Sequence, residues 1–294
     1  MKISVIILNT NDYTMTASLI NMIKDYKCLN HIIVVDNNSA GNDYALLKAI
    51  SSDKIVVLKS PENKGYSFGN NIGINWSVKN TDDEIIAIAN SDVEFDEKFV
   101  EIILQHFEKE KDYAIFTGVQ KDTHGNFASH PFWPNYTIHQ YFYQKISELL
   151  PVIKSPDFSY SRKMLKTNKE VIDVGAVEGS LFFIRKSDFE KIGFFDDNIF
   201  LYNEENIIAK KLAKINRKTG VITNISYIHY GGHSTKSVKN KKILNYYCDS
   251  AVYFFNNYMT DNIFLQNLNV VFCRLLRTKS FFASKLKKLF KYKY

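Results

Sequence analysis

Residues 2–12 read KISVIILNTND, a run of apolar, β-prone side chains that stops on four polar ones, Asn9, Thr10, Asn11 and Asp12. So uniformly apolar a run suits a strand buried on both faces. Leu19, Ile20 and Ile23 then recur at helical spacing, and the unit repeats down the chain. Ile32–Val35 is a second buried strand, closed by Asp36-Asn37-Asn38-Ser39, and Ala45–Ile50 reads as helix. Ile55–Leu58 is a third strand; Pro61 and Gly65 punctuate the next loop, and a helix is expected over Asn71–Val78. Glu84–Ala89 is a fourth strand, stopping at Asn90-Ser91-Asp92. Asp96 suits a helix N-cap, with Phe99, Ile102, Ile103 and Phe107 as the inward stripe. Strands alternating with helices imply a mixed, mainly parallel α/β sheet flanked by helices on both faces. Such sheets bind ligands beyond the carboxyl ends of their strands. The polar breaks at 9–12, 36–39 and 90–92 all fall at those ends and should converge on one rim.

Past Gly118 the pattern weakens. Residues 119–172, with His130-Pro131-Phe132-Trp133-Pro134, read as an irregular insertion of the kind that shapes a substrate pocket. Regular structure resumes at Ser180–Arg185, a short helix follows over Ser187–Ile192, and residues 243–258 and the tail read as helical. The chain thus divides into residues 1–118 and 119–235, two halves of one α/β domain, and a C-terminal helical extension, 236–294.

A content of 45% hydrophobic and 23% charged residues excludes a disordered or fibrous chain. The three cysteines, Cys28, Cys248 and Cys273, are too few and too scattered for a disulfide framework or a zinc knuckle, and fit a reducing compartment. Residues 1–8 lack a signal-peptide pattern, and no run of about 18 apolar residues occurs, so a cytoplasmic protein is expected. The net charge of +7 is uneven. After Asp261, the last acidic residue, Arg274, Arg277, Lys279, Lys285, Lys287, Lys288, Lys291 and Lys293 carry +8, leaving 7 − 8 = −1 for the rest.

Several blocks stand in a telling order: Ser4–Asn9, Val35–Ser39, Asn63–Gly73, Asn90-Ser91-Asp92-Val93, Gly179 with Phe194-Phe195-Asp196, Phe200–Glu205, and His229-Tyr230-Gly231-Gly232-His233-Ser234. Together they resemble the family-2 glycosyltransferases, in particular the rhamnosyltransferase-like branch, over residues 1–235. That resemblance implies a GT-A (Rossmann-like) fold and inverting transfer of a sugar from a nucleotide diphosphate to an acceptor hydroxyl. It places Asn9, Asp36, Asn38, Lys64, Gly65, Asn71, Asn90 and Ser91 on the nucleotide-sugar donor, Asp92 on a divalent metal, Mn²⁺ or Mg²⁺, and His229 on that metal or on the diphosphate. Asn90 stands where the family's Asp-x-Asp motif has its first carboxylate. Asp92 would therefore be that motif's only carboxylate on the metal, which suffices because Mg²⁺ keeps waters and needs only one or two. In Glu204-Glu205 the resemblance makes the second member the general base, with Glu204 as the alternative. The role of Asp196 and Asp197, and of His233, stays open.

Each block also has a plainer reading. Asp36 can be a turn former bonding its own backbone, Asn63–Gly73 an Asn-capped connection, Asp92 an N-cap, and Glu204-Glu205 charges at a helix start. The tail interleaves Phe272, Leu275, Leu276, Phe281, Phe282, Leu286, Leu289 and Phe290 with its eight cations, a pattern that can lie in a membrane interface. Packing on the body or an oligomer contact are the alternatives. No nucleic-acid module accompanies the charge, so no nucleic acid is expected.

The expected activity is transfer of rhamnose from dTDP-rhamnose, or of a hexose from a UDP-sugar, to a lipid-linked cell-surface polysaccharide or O-antigen intermediate, on the inner face of the cell membrane. The rival is a catalytically silent GT-A scaffold or sugar-binding subunit, kept open by Asn90. A nucleotidyltransferase would need a basic, Gly-rich first loop, which Asn9-Thr10-Asn11-Asp12 is not.

Overall fold

The computed structural model describes residues 1–128, 130–150, 152–153, 160–161, 163–231 and 240–291, and all their side chains but those of residues 240 and 282–291. Along the chain run β1 (Ile3–Asn9), α1 (Tyr13–Ile23), β2 (His31–Asp36), α2 (Asp43–Lys48), β3 (Ile55–Lys59), α3 (Tyr66–Asn80), β4 (Ile85–Asn90) and β5 (Val93–Glu94). Next come α4 (Glu97–Lys109), β6 (Tyr113–Lys121), β7 (Phe132–Trp133), α5 (Ile138–Leu149), β8 (Val171–Val174), β9 (Ala176–Val177), β10 (Leu181–Arg185) and α6 (Lys186–Lys191). The chain continues through α7 (Glu204–Lys214), β11 (Lys218–His229), α8 (Asn240–Phe254), a π-helical turn (Phe255–Met259) and α9 (Ile263–Lys291).

The main sheet has the order β3-β2-β1-β4-β10-β6-β11-β5, with β8 also paired to β11. β3, β2, β1 and β4 are mutually parallel, as are β6 and β11. β10 is antiparallel to both β4 and β6, so its amino end, not its carboxyl end, reaches the rim where β4 finishes. There the Asn90 N–H donates to the Ser180 carbonyl at 2.8 Å. Side chains alternate across the sheet as the strand period requires. Ile3, Val5 and Ile7 of β1 pack with Ile20, Ile23, Phe99 and Phe107, whereas Ile6 packs with Ile33, Ile74, Ile86, Ile88 and Phe189 on the other face. Each fully buried side chain of this size contributes roughly 1.5–3 kcal/mol.

Two expectations change. Helix α3 begins at Tyr66, five residues before the expected 71, because Gly69 and Gly73 press it onto the sheet. A Cβ at Gly69 would stand 2.5 Å from Leu8 Cδ1, and one at Gly73 2.7 Å from Ile6 Cγ2. Residues 119–172 are also more ordered than an irregular insertion. β6 runs to Lys121, so the sheet crosses position 118; β7 pairs with β9; and α5 starts on a capping box in which Thr137 Oγ1 accepts from the Gln140 N–H and Gln140 Oε1 from the Thr137 N–H.

The C-terminal helices pack back on the domain. Phe254 and Phe255 are buried with Tyr141 of α5 and Ile207 of α7, and Cys248 and Ala251 of α8 with Cys273 and Leu276 of α9.

Candidate active site

Strand ends bring the polar breaks together. At the tip of β2, Asp36 is fully buried and accepts from Asn9 Nδ2 at 2.9 Å and from the Ser39 N–H at 3.2 Å. Asn9 Nδ2 also reaches Ser39 Oγ (3.1 Å) and Asp43 Oδ2 (3.0 Å), and its Oδ1 accepts from Thr16 at 2.8 Å. Asn9 is thereby committed to fastening the β1 and β2 ends. Asn38 is exposed with φ 56°, and its neighbour Asn37 turns inward.

Above these ends opens a cavity of about 300 Å³. Leu8, Thr10, Asn11, Asn37, Asn63, Gly65, Tyr66, Asn90 and Ser91 line it from the sheet side. Phe200 and Leu201, from the loop before α7, and Lys242, Ile243 and Tyr246, from α8, line the other side. The Tyr246 and Phe200 rings stack at 4.1 Å with 18° between planes, joining α8 to the loop before α7 within that wall. Gly65 permits this closeness. It has φ 99°, and a Cβ there would stand 1.9 Å from the Phe200 carbonyl oxygen, while the Tyr66 N–H donates to that oxygen at 3.0 Å.

Asp92 adjoins the cavity through Ser91 and is 3% exposed. Pairing of β5 with β11 sets Val93 opposite His229 and the Tyr230 N–H on the Asp92 carbonyl at 2.9 Å, which brings two residues far apart in sequence together. His229 Nε2 lies 3.3 Å from Asp92 Oδ1, and its Nδ1 lies 2.7 Å from Gln120 Nε2 and 3.4 Å from Glu178 Oε1. Burial opposes charge on this imidazole, yet Asp92 and Glu178 raise its pKa to about 9. Gln120 Oε1 is buried without a partner. Exchanging the ends of that amide would let Oε1 accept a hydrogen bond from Nδ1–H and, in the neutral imidazole, leave the Nε2 lone pair toward Asp92, the orientation a metal-ligating imidazole requires. Among the described residues no group of three or more His, Cys, Asp or Glu side chains could hold a metal. Asp92 and His229 would thus be two protein ligands to an ion whose other positions fall to water and phosphate, and the imidazole fits Mn²⁺ better than Mg²⁺.

The acidic pair opens α7. Tyr202 and Asn203 precede it with φ 75° and 69°, a left-handed pair that non-glycine residues adopt at a cost and that turns the chain sharply into the helix. Glu205 Oε1 accepts from the Gly179 N–H at 3.0 Å, and burial pushes its carboxyl up to about 7. Tyr66, in the cavity wall, donates to the Gly179 carbonyl at 2.7 Å, so Gly179 links Glu205 to that wall although Glu205 does not line the cavity itself. Glu204 is 4% exposed, and its Oε1 has no partner. Burial, with Glu205 beside it, holds its carboxyl well above the usual range.

Of the donor-side residues read from sequence, Gly65, Asn90 and Ser91 line the cavity, and Asn9 and Asp36 adjoin its lining residues Leu8, Thr10 and Asn37 without lining it themselves. Lys64 and Asn71 lie elsewhere. Lys64 pairs with Glu62 at 2.6 Å over the Phe68 ring, and Asn71 exchanges hydrogen bonds with the Phe195 backbone at 3.0 and 3.2 Å. Asp196 accepts from the Tyr253 and Tyr258 hydroxyls and ties this loop to the C-terminal helices. His233 lies outside the described residues. Lys242 and Tyr246 had no sequence signal as site residues, because the blocks end before α8.

The family model described as Glycosyl transferase family 2 matches residues 4–193. The low-salt glycan biosynthesis hexosyltransferase Agl10 of Haloferax volcanii is 25% identical over 228 residues, which span 77% of this chain and 66% of that protein, just under two thirds of its length. S. aureus TarS 1–349, solved with UDP-GlcNAc, superposes with TM-score 0.56 at 14% identity over 92% of this chain and 70% of that one. The Pyrobaculum calidifontis mannosyltransferase PcManGT, solved with GDP-Man and Mn²⁺, superposes with TM-score 0.55 at 11% identity over 93% and 73%. These structural likenesses establish the GT-A fold.

Proposed function

The chain belongs to glycosyl transferase family 2, and from that premise we propose that it transfers a sugar from a nucleotide diphosphate to an acceptor hydroxyl with inversion at C1. The observation that carries the reading is one cavity at the carboxyl rim of the sheet, with Asn90 and Ser91 in its wall, the Asp92–His229 pair next to Ser91, and Glu205 linked through Gly179 to Tyr66 of that wall.

The nucleotide would lie over the β1, β2 and β4 ends, with its diphosphate at Asn90 and Ser91. A divalent cation held by Asp92 and His229 would offset the negative charge that grows on the leaving diphosphate. Glu205, with a carboxyl tuned near neutrality, takes the proton of the acceptor hydroxyl as that oxygen bonds to C1, and the C1–phosphate oxygen pair departs with the diphosphate. Burial and the neighbouring Glu205 raise the Glu204 carboxyl well above the usual range, which disfavours a second charge beside the base. The donor is dTDP-rhamnose or a UDP-hexose. The acceptor is a lipid-linked surface-glycan intermediate, met where α9 rests on the inner face of the membrane.

Titration calorimetry of the protein in Mn²⁺ with UDP, dTDP and GDP tests the donor; no binding of any of them would end the proposal. Glu205→Gln should keep diphosphate affinity and lose turnover by a factor of about 10² to 10⁴. Wild-type turnover in that variant would remove Glu205 from the role.

A further inference from the structure

Among the described residues lining the cavity, Lys242 carries the sole formal charge. It stands in the first turn of α8, beside Lys241, and that turn holds no acidic residue. The arrangement is electrostatically unfavourable, since a helix amino end carries partial positive charge and ordinarily gathers carboxylates. An anion in the cavity would relieve it. Tyr246, one turn further along, stacks on Phe200, and the ammonium of the exposed Lys242 lies 5.6 Å from the Tyr246 ring, at the cavity edge. On the opposite wall Asn37 is 2% exposed, and its Oδ1 is buried without a hydrogen-bond partner although its Nδ2 donates to Asn63 Oδ1 and the Gly65 carbonyl. The cavity therefore has a wall of neutral polar side chains, Thr10, Asn11, Asn37, Asn63, Asn90 and Ser91, and a single cationic rim, which matches a ligand with a neutral end and an anionic end. Lys64, the cation expected here, pairs with Glu62 at the exposed surface and lines no part of the cavity.

We propose that Lys242 of α8 binds the diphosphate of the donor, so that the chain itself supplies part of the charge neutralisation otherwise left to a metal. The proposal rests on the donor reading above. Breaking the C1–oxygen bond adds one negative charge to the diphosphate and moves no proton to it, so an ammonium that stays protonated completes the balance. It also offsets the Asn90 position, where one carboxylate fewer means a weaker hold on the cation.

The test uses the whole protein in excess chelator, without metal. UDP, dTDP and GDP are titrated into wild type and Lys242→Met, alongside the corresponding nucleosides. Lys242→Met should bind the preferred diphosphate about tenfold more weakly, with nucleoside affinity and unfolding midpoint unchanged. Lys242→Arg should recover most of the loss. Equal diphosphate affinity in wild type and Lys242→Met, or an equal loss for nucleoside and diphosphate, overturns the role of Lys242 while leaving the donor reading intact. Failure of wild type to bind any diphosphate, even with Mn²⁺, overturns both.

Discussion

Glu205 holds its proton to about pH 7 because burial disfavours its charged form, whereas in the unfolded chain it would release it in the ordinary carboxylate range. This sign has two consequences. As a base it works only when ionised, so kcat/KM should rise about tenfold per pH unit below about 7 and level off above. As a buried acid it favours folding only while protonated, so its contribution is complete in acid and is lost as pH rises through about 7. Glu205→Gln, fixed in a neutral form, should flatten that part of the stability curve while abolishing turnover. A rate profile without an acid limb between about pH 5 and about pH 8 would contradict the assignment. At this scale the sequence was legible where a motif carried its own spacing. Asp92 and His229 were paired from their blocks and lie 3.3 Å apart. Lys64 and Asn71 belong to an equally good block, but Glu62 and the Phe195 backbone are their partners, and no spacing rule announces a local competitor. Lys242 was invisible, since a lysine in an amphipathic helix reads as a solvated face until the fold lays that helix over a cavity.

Helix α3 depends on the loop that precedes α7 as much as on the sheet beneath it. Gly65 forms the joint, because its φ of 99° and the Phe200 carbonyl against its Cα leave no space for a side chain. Gly65→Ala should lower stability by at least about 2 kcal/mol, from the left-handed strain and the displaced loop. It should also weaken nucleotide binding, because Tyr66 and Phe200 both line the cavity. An unchanged denaturant midpoint would show that the contact relaxes freely. The first four strands were legible as elements because each is a nearly unbroken apolar run, buried on both faces in β1, β2 and β4 and partly buried on one face in the edge strand β3. β11 was not. It mixes Lys218, Thr219, Thr223, Asn224 and Ser226 with its apolar residues and shifts register against β6 between Ile222 and Ser226, which breaks the strand period. The amino end of α3 was missed for a related reason, since Gly and Asn depress helix propensity there and only packing against Leu8 and Ile6 reveals why they are present.

The molecule as a whole is electrically lopsided, with a body near neutrality and eight cations beyond Asp261. Helix α9 turns one side to the body, where Cys273 and Leu276 pack against Cys248 and Ala251. Its opposite side exposes Phe264, Val271 and Leu275 at helical spacing, with Arg274 among them and Phe281 further along. The side chains of Phe282, Leu286 and Leu289, and of the lysines around them, lie outside the described residues, but the sequence continues the same spacing. Among the described residues no helix is long and apolar enough to cross a membrane. A second copy of this face would set cations against cations, because α9 has no carboxylate. An anionic lipid surface meets both the apolar stripe and the charge, at about 1 kcal/mol for each basic residue near it. Arg277 and Lys279 count for less, since Arg277 pairs with Asp249 at 2.7 Å and Lys279 donates to the Glu148 and Leu149 carbonyls. The protein should therefore sediment with vesicles containing phosphatidylglycerol and not with pure phosphatidylcholine, and salt should release it. Val271→Glu combined with Leu275→Glu should abolish sedimentation without changing nucleotide affinity, because the stripe lies apart from the cavity lining. Equal binding to neutral vesicles would remove the electrostatic part of the argument. A dimer in solution that the same two substitutions dissolve would assign the face to a second copy instead.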